Sequence, residues 1–236
     1  MNQIHKQYSR LFFLMQFSTI QLVKSLESNS PELYKTLRMV YKALHHVKDR
    51  YVDGIRNYSP KEFKSFDNLP AHHFSAWKGL ESIIGDVIKR SGINATSCLE
   101  FGVEYGYSTA VFANYFDKVT GVDLFTGDIH AGYKGNIFDA AADNLKDFKN
   151  ITLIKNDYKD FIKDHHLSYD LIHVDIIHTY EATYECGFWA AEHSGCTLFH
   201  DTESFSSVKK AVRDIAKKSG KRFYNYPYYN GLGILF

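Results

Sequence analysis

Four side chains near two short apolar runs have the types and spacing to do chemistry together. The run Asp170–Asp175 ends in a carboxylate, and His178 follows three residues later. A second run, Thr197–His200, leads into Asp201 and Thr202. If both runs are parallel strands, their ends share the sheet edge at which open α/β sheets bind ligands. Two carboxylates and up to two imidazoles then converge. Asp175, His200 and Asp201 are the candidate metal ligands. Oxygen donors suit Mg²⁺, the first expectation here, as well as Ca²⁺ or Mn²⁺, and the added imidazole shifts the preference toward transition metals. Unpaired buried charge is costly, so a cation is a natural partner for such carboxylates. His178 is the candidate general base, since an unperturbed imidazole titrates near neutrality. The plainer readings are a core-edge His200 bonded to backbone and an Asp201 that caps the next helix.

A third run, Ser97–Phe101, opens into Gly102-Val103-Glu104-Tyr105-Gly106-Tyr107-Ser108. Its glycines allow a tight turn and close backbone approach to a ligand at the N-terminus of the following helix. The spacing is not G-x-G-x-x-G, which disfavours a dinucleotide. Glu100, Gly102, Glu104, Gly106 and Ser108 are candidate contacts to a nucleoside-bearing cofactor. Asp123, at the end of the next apolar run, can accept both hydroxyls of a ribose. Asp157 ends the run after that and either meets a base edge or caps a helix. Asp175 borders the same space and counts among the cofactor contacts too.

The elements that must hold these residues alternate. Strands are predicted over Ser97–Phe101, Lys118–Leu124, Ile151–Lys155, Asp170–Asp175 and Thr197–His200. Helices are predicted over Ser108–Phe116, Ile137–Phe148, Tyr158–His165, Tyr180–His193 and Ser206–Ser219. That alternation implies a Rossmann-like α/β fold, a mostly parallel sheet with helices on both faces. Residues from Arg222 to Phe236, around Asn230-Gly231, read as an antiparallel hairpin at the sheet edge. Upstream, Ser75 is expected to cap a helix carrying Trp77, Leu80, Ile83, Ile84, Val87 and Ile88, ended near Gly92. The first seventy residues read as a helical extension and connector (1–70), followed by the catalytic domain (71–236). Leu33, Leu37, Val40, Leu44, Val47 and Tyr51 fall on one stripe of an amphipathic helix. Such stripes need a partner, either the domain itself or a second subunit.

Composition excludes little but directs the rest. A 236-residue chain that is 44% hydrophobic and 23% charged is an ordinary globular protein. A net charge of +1 gives no global case for nucleic acid or an anionic membrane. A basic cluster from Lys209 to Arg222 offers one basic face, whose plain reading is a solvated helix. Cys98, Cys186 and Cys196 fit neither a zinc pattern nor a disulfide framework, which points to a reducing, cytoplasmic setting. Leu11–Met15 is too short to span a bilayer and reads as part of a buried helix.

The acid at Glu100 with glycines two and six residues on resembles the turn of the class I S-adenosylmethionine-dependent methyltransferases. Asp170–Ala182 and Thr197–Thr202 are similar to the small-molecule O-methyltransferases that include the macrolide-sugar methyltransferases and the cephalosporin hydroxylase/rhamnosyl methyltransferase group. The likeness runs from about Trp77 to Phe236 and includes the segment Phe125–Tyr133. It implies S-adenosylmethionine as cofactor, a divalent metal on Asp175 and Asp201, and His178 as base toward a hydroxyl of a small-molecule acceptor. Ile176 stands where that family carries a small Gly, and His200 where the sugar enzymes carry the first acid of the metal pair. Two other functions compete: a non-catalytic S-adenosyl-nucleoside-binding domain, and methylation of RNA through the basic face.

Overall fold

The computed structural model describes residues 40, 49–70, 73, 75–127 and 135–236. The predicted N-terminal helices, apart from Val40 and residues 49–51, and residues 128–133 of the predicted substrate-side loop lie outside them. Asp53–Phe236 is one compact unit, so residues 53–70, expected to go with the extension, pack with the domain instead.

The strands are β1 (Arg56–Asn57), β2 (Ser97–Phe101), β3 (Lys118–Asp123), β4 (Ile151–Lys155), β5 (Tyr169–Val174), β6 (Ser194–His200), β7 (Phe223–Tyr226) and β8 (Leu232–Leu235). They form one sheet in the order β1-β7-β8-β6-β5-β2-β3-β4. β8 runs antiparallel to both β6 and β7, and every other pairing is parallel. The helices are α1 (Ile84–Ser91), α2 (Tyr107–Ala113), α3 (Phe138–Leu145), α4 (Tyr158–Asp164), α5 (Tyr180–Glu192) and α6 (Ser206–Ser219). The sequence-based Rossmann-like fold therefore holds, with two differences. The hairpin does not end the sheet, because β1 pairs beyond β7. The segment after Ser75 makes a turn and a short 3₁₀ stretch, Leu80–Ile83, before α1.

Central strands are apolar because both faces are covered. Cys98, Leu171, Cys196 and Leu198 pack with Leu80, Ile83, Ile84 and Phe112 on one side. Leu99, Phe101, Ile172 and Phe199 pack with Cys186, Ala190, Val212 and Ile215 of α5 and α6 on the other. Local signals set the ends: Gly92 closes α1 at φ 70° with its N–H on Ile88 O, and Thr179 Oγ1 accepts from Ala182 N to start α5. The former connector is clamped down by buried Asp86, which accepts from Tyr58 Oη at 2.5 Å and Lys61 N at 3.1 Å. The chain leaves β2 for β3 and β4 in one direction and passes from β5 to β6 in the other. The crevice beyond β2 and β5 is thus a topological switch point.

Candidate active site

The turn after β2 is built by exclusion of side chains. Gly102 has φ 90°, and a Cβ there would lie 1.7 Å from the main-chain oxygen of Asp175. Only glycine lets the ends of β2 and β5 approach this closely. Glu104 follows at φ 54°, Phe125 takes φ 51° after β3, and Asp201 takes φ 62° after β6. Left-handed non-glycine residues of this kind are held by their surroundings. Asp123 supplies part of that hold. Its Oδ2 accepts from the N–H groups of Val103 (2.8 Å) and Glu104 (2.9 Å), and its Oδ1 from Phe125 N (2.7 Å).

A cavity of about 1050 Å³ opens over these strand ends. Gly102, Glu104, Asp123, Asp157 and Asp175 line it. Glu100, Gly106 and Ser108, expected beside them, do not. Glu100 is fully buried and takes hydrogen bonds from Thr109 Oγ1 (2.5 Å) and the His173 ring (2.9 Å), because strand alternation turns its side chain toward α2. Gly106 is enclosed by Leu145, and Ser108 is only 6% exposed. Asp157 caps α4 through Lys159 N at 2.8 Å, as one of its two readings had it, and also lines the cavity. Sequence reasoning did not identify Glu181 and Glu185 as lining residues. Their spacing of one helical turn, just past the β5 end, was the available signal. Among the described residues, six carboxylates line the cavity against a single lysine, Lys159.

At the β5–β6 end the four chemistry-bearing side chains do meet. His200 Nδ1 lies 3.1 Å from Asp175 Oδ2 and 3.5 Å from Asp201 Oδ2. His178 Nε2 lies 2.9 Å from Asp201 Oδ2 and 3.6 Å from Asp175 Oδ1. The His178 ring stacks on Phe205 at 4.1 Å, and its main-chain oxygen accepts from Ser207 Oγ at 2.7 Å. Asp175, His200 and Asp201 each offer a ligand atom, all within 4.8 Å of one another. That donor set fits a divalent cation, with an imidazole in place of a third oxygen.

Electrostatics tighten the cluster. Burial pushes the Asp175 carboxyl up, but the His200 charge and hydrogen bonds from both imidazoles outweigh it and hold the group well below the usual range. Burial lowers His178, yet hydrogen bonds and charge from Asp175 and Asp201 raise it to about 9. His200 is shifted upward against its burial, chiefly by Asp175. Beside these carboxylates the His178 ring is thus shifted above the near-neutral range expected of it as a base.

The basic cluster is largely engaged within the fold. Arg213 pairs with Asp53 at 2.8 Å, Lys209 with Glu203 at 2.7 Å, and Lys221 with the main chain of Ser194 at 2.5 Å. Among the described residues, no helix is long and apolar enough to cross a membrane.

Residues 99–202 match the family model of a methyltransferase domain. An uncharacterised protein of Sinorhizobium fredii is 30% identical over 151 residues, 58% of this chain and 17% of that protein. The chain thus spans about a sixth of the curated relative it matches. A Klebsiella pneumoniae structure, provisionally described as an O-methyltransferase, superposes with a TM-score of 0.50 at 15% identity, covering 71% of this chain and 83% of that one. An O-methyltransferase of Bacillus cereus in complex with SAH matches at 16% identity and a TM-score of 0.48, covering 71% and 84%. The matched segment holds both the Gly102 turn and the Asp175–His200–Asp201 cluster, and over it the chain is similar to a methyltransferase domain, with the same fold.

Proposed function

We propose that this protein methylates a hydroxyl oxygen of a small molecule, a sugar or a phenol-like acceptor, with a divalent cation on Asp175, His200 and Asp201. The observation that carries this reading is the direct abutment of the Gly102 turn on Asp175, which sets the charged cluster against the turn expected to meet the cofactor. A protein that only bound the nucleoside would need no such cluster. The basic face, paired within the fold, gives little support to an RNA substrate.

The activated methyl comes with the cofactor, so the protein's tasks are to place the acceptor in line and to handle one proton. Asp123 would accept from the ribose, and Asp157 would stand at the base edge. The acidic lining suits a sulfonium cation and favours it over the neutral thioether left after transfer. A bound divalent cation would lower the pKa of the acceptor hydroxyl. His178 would receive the hydroxyl proton at Nε2 once that nitrogen is free of its own proton and of Asp201. A second reading comes from the charge pattern: both imidazoles are shifted upward by the two carboxylates they face, so the groups compensate one another and the cluster could serve without a metal.

Titration calorimetry of the wild-type protein with SAH tests the first part. Absence of binding at millimolar SAH overturns the reading. Titration with Mn²⁺ separates the two versions of the cluster. Binding that is lost in Asp175→Asn supports the metal, because that change removes a charged oxygen ligand while keeping its shape. No Mn²⁺ binding by wild type leaves the metal-free version.

A further inference from the structure

Beneath the cluster lies a second set of polar groups that the proposed chemistry does not use. Glu100 and His173 are directly opposed across the β2–β5 pair and are both fully buried. Around them the same side of the sheet is apolar, formed by Cys98, Leu171 and Leu198. A buried carboxylate–imidazole pair is an expensive way to join two strands, since apolar residues of similar size usually hold at least as well. Its position suggests what it is retained for. Gly102 follows Glu100 by two residues and Asp175 follows His173 by two, so strand alternation stacks the pair under the point where the turn meets the cluster. Thr109 Oγ1, from α2, closes the far side of Glu100 at 2.5 Å. With His173 Nδ1 on Glu100, the other edge of that ring faces aromatic neighbours. Trp77 lies edge-to-face against it at 4.9 Å and reaches the His200 ring at 6.1 Å. Trp77 Nε1 and His173 Nε2 are buried and have no hydrogen-bond partner among the described residues. The orientation of these rings is thus set by Glu100 at one end and by packing at the other.

We propose that Glu100 and His173 are positioning residues that act through Trp77, fixing the ring orientation of His200 and the placement of Asp175 beneath the cofactor turn. The proposal gives the methyl-transfer site a supporting layer and rests on that reading for its purpose, though not for its test. Glu100 keeps one tautomer of His173 by accepting from Nδ1. Trp77 then has a fixed face to pack on and passes the constraint to His200.

The test uses full-length protein labelled with ¹⁵N in its histidines, with His200→Gln as the assignment reference. In Glu100→Gln, which keeps size and the Thr109 contact but loses the charge, the His200 ring nitrogens should shift by several parts per million. Those of His193, at the opposite end of the sheet, should stay in place. Unmoved His200 signals in a folded variant overturn the proposal. Equal displacement of His193 also overturns it, because that marks general loosening. If Glu100→Gln does not fold, His173→Asn, which leaves the carboxylate charged, carries the same measurement. SAH binding by the wild type is read separately, so failure of the methyl-transfer reading and failure of this one are distinguishable.

Discussion

The two halves of the cleft floor are stabilised on opposite terms. Beyond β2 and β3 the backbone sets the shape. Gly102 leaves room for β5, and the three N–H groups on Asp123 fix that carboxylate from its own loops. Beyond β5 and β6, side chains answer one another. Asp175 and Asp201 are compensated by two imidazoles whose charge depends on the carboxylates in turn. The first half takes its shape from main-chain groups, which do not titrate, whereas the second is built from side chains that trade charge with one another. Under the proposed function, a cofactor site that must be the same in every turnover gains from the first construction, and a reacting site gains from the second.

The sharpest way to break this comparison is at the seam. Gly102→Ala places a methyl group 1.7 Å from the Asp175 main chain at a φ that L-residues rarely adopt. We expect a loss of about 3–5 kcal/mol, in the range of severe backbone strain, and no measurable SAH binding by calorimetry. Retained binding would mean that the two halves are less tightly joined than their spacing implies. Next in size is His178→Ala, expected to lower methyl transfer by about 10²–10⁴-fold in an acceptor assay with SAH affinity kept. Equal loss of both would merge the halves into one unit. The third prediction is a pH dependence confined to the second half. His178 is raised from 6.5 to about 9 in the folded protein, so its contribution to stability is complete below pH 6.5 and is lost as pH rises through 9. Urea unfolding should show a fall of at most about 3 kcal/mol across that window, flattened in Asp201→Asn. A curve of unchanged steepness in that variant would assign the effect elsewhere. The smallest effect is expected in the first half, where Asp123→Ala should weaken SAH by about 1.5–3 kcal/mol, the worth of hydrogen bonds to a charged group, without altering the pH profile.

Legibility in the sequence follows the same division. Ser97–Phe101, Ile151–Lys155 and Ser206–Ser219 were readable to the residue, because long apolar runs and helix caps are local signals. The meeting of Asp175, His178, His200 and Asp201 was readable as well, since parallel strands bring their ends to one edge. Direction of side chains was harder. Glu100 sits in a motif associated with the cofactor, yet one step of strand alternation decides whether it faces cleft or core. The elevated His178 pKa depends on distances of 2.9 and 3.6 Å that no spacing rule supplies. Trp77 read as an ordinary core residue, and nothing in its helical stripe announced two imidazole neighbours from distant strands. β1 has two residues, too few to carry a period.

That short strand also has a bearing on solubility. Arg56 and Asn57 occupy the outer edge of β7, whose residues Tyr224 and Asn225 they pair with. Tyr58, the next residue, is locked by Asp86, so the pairing is anchored. A chain cut back to Trp77 would keep every residue of the cleft and still uncover a ladder of main-chain donors and acceptors beside aromatic side chains. Bare edges of this kind recruit other strands. The shortened protein should bind SAH as well as the full chain when dilute, and form sheet-to-sheet oligomers as its concentration rises. Two residues far from the chemistry would then act as a guard against self-association.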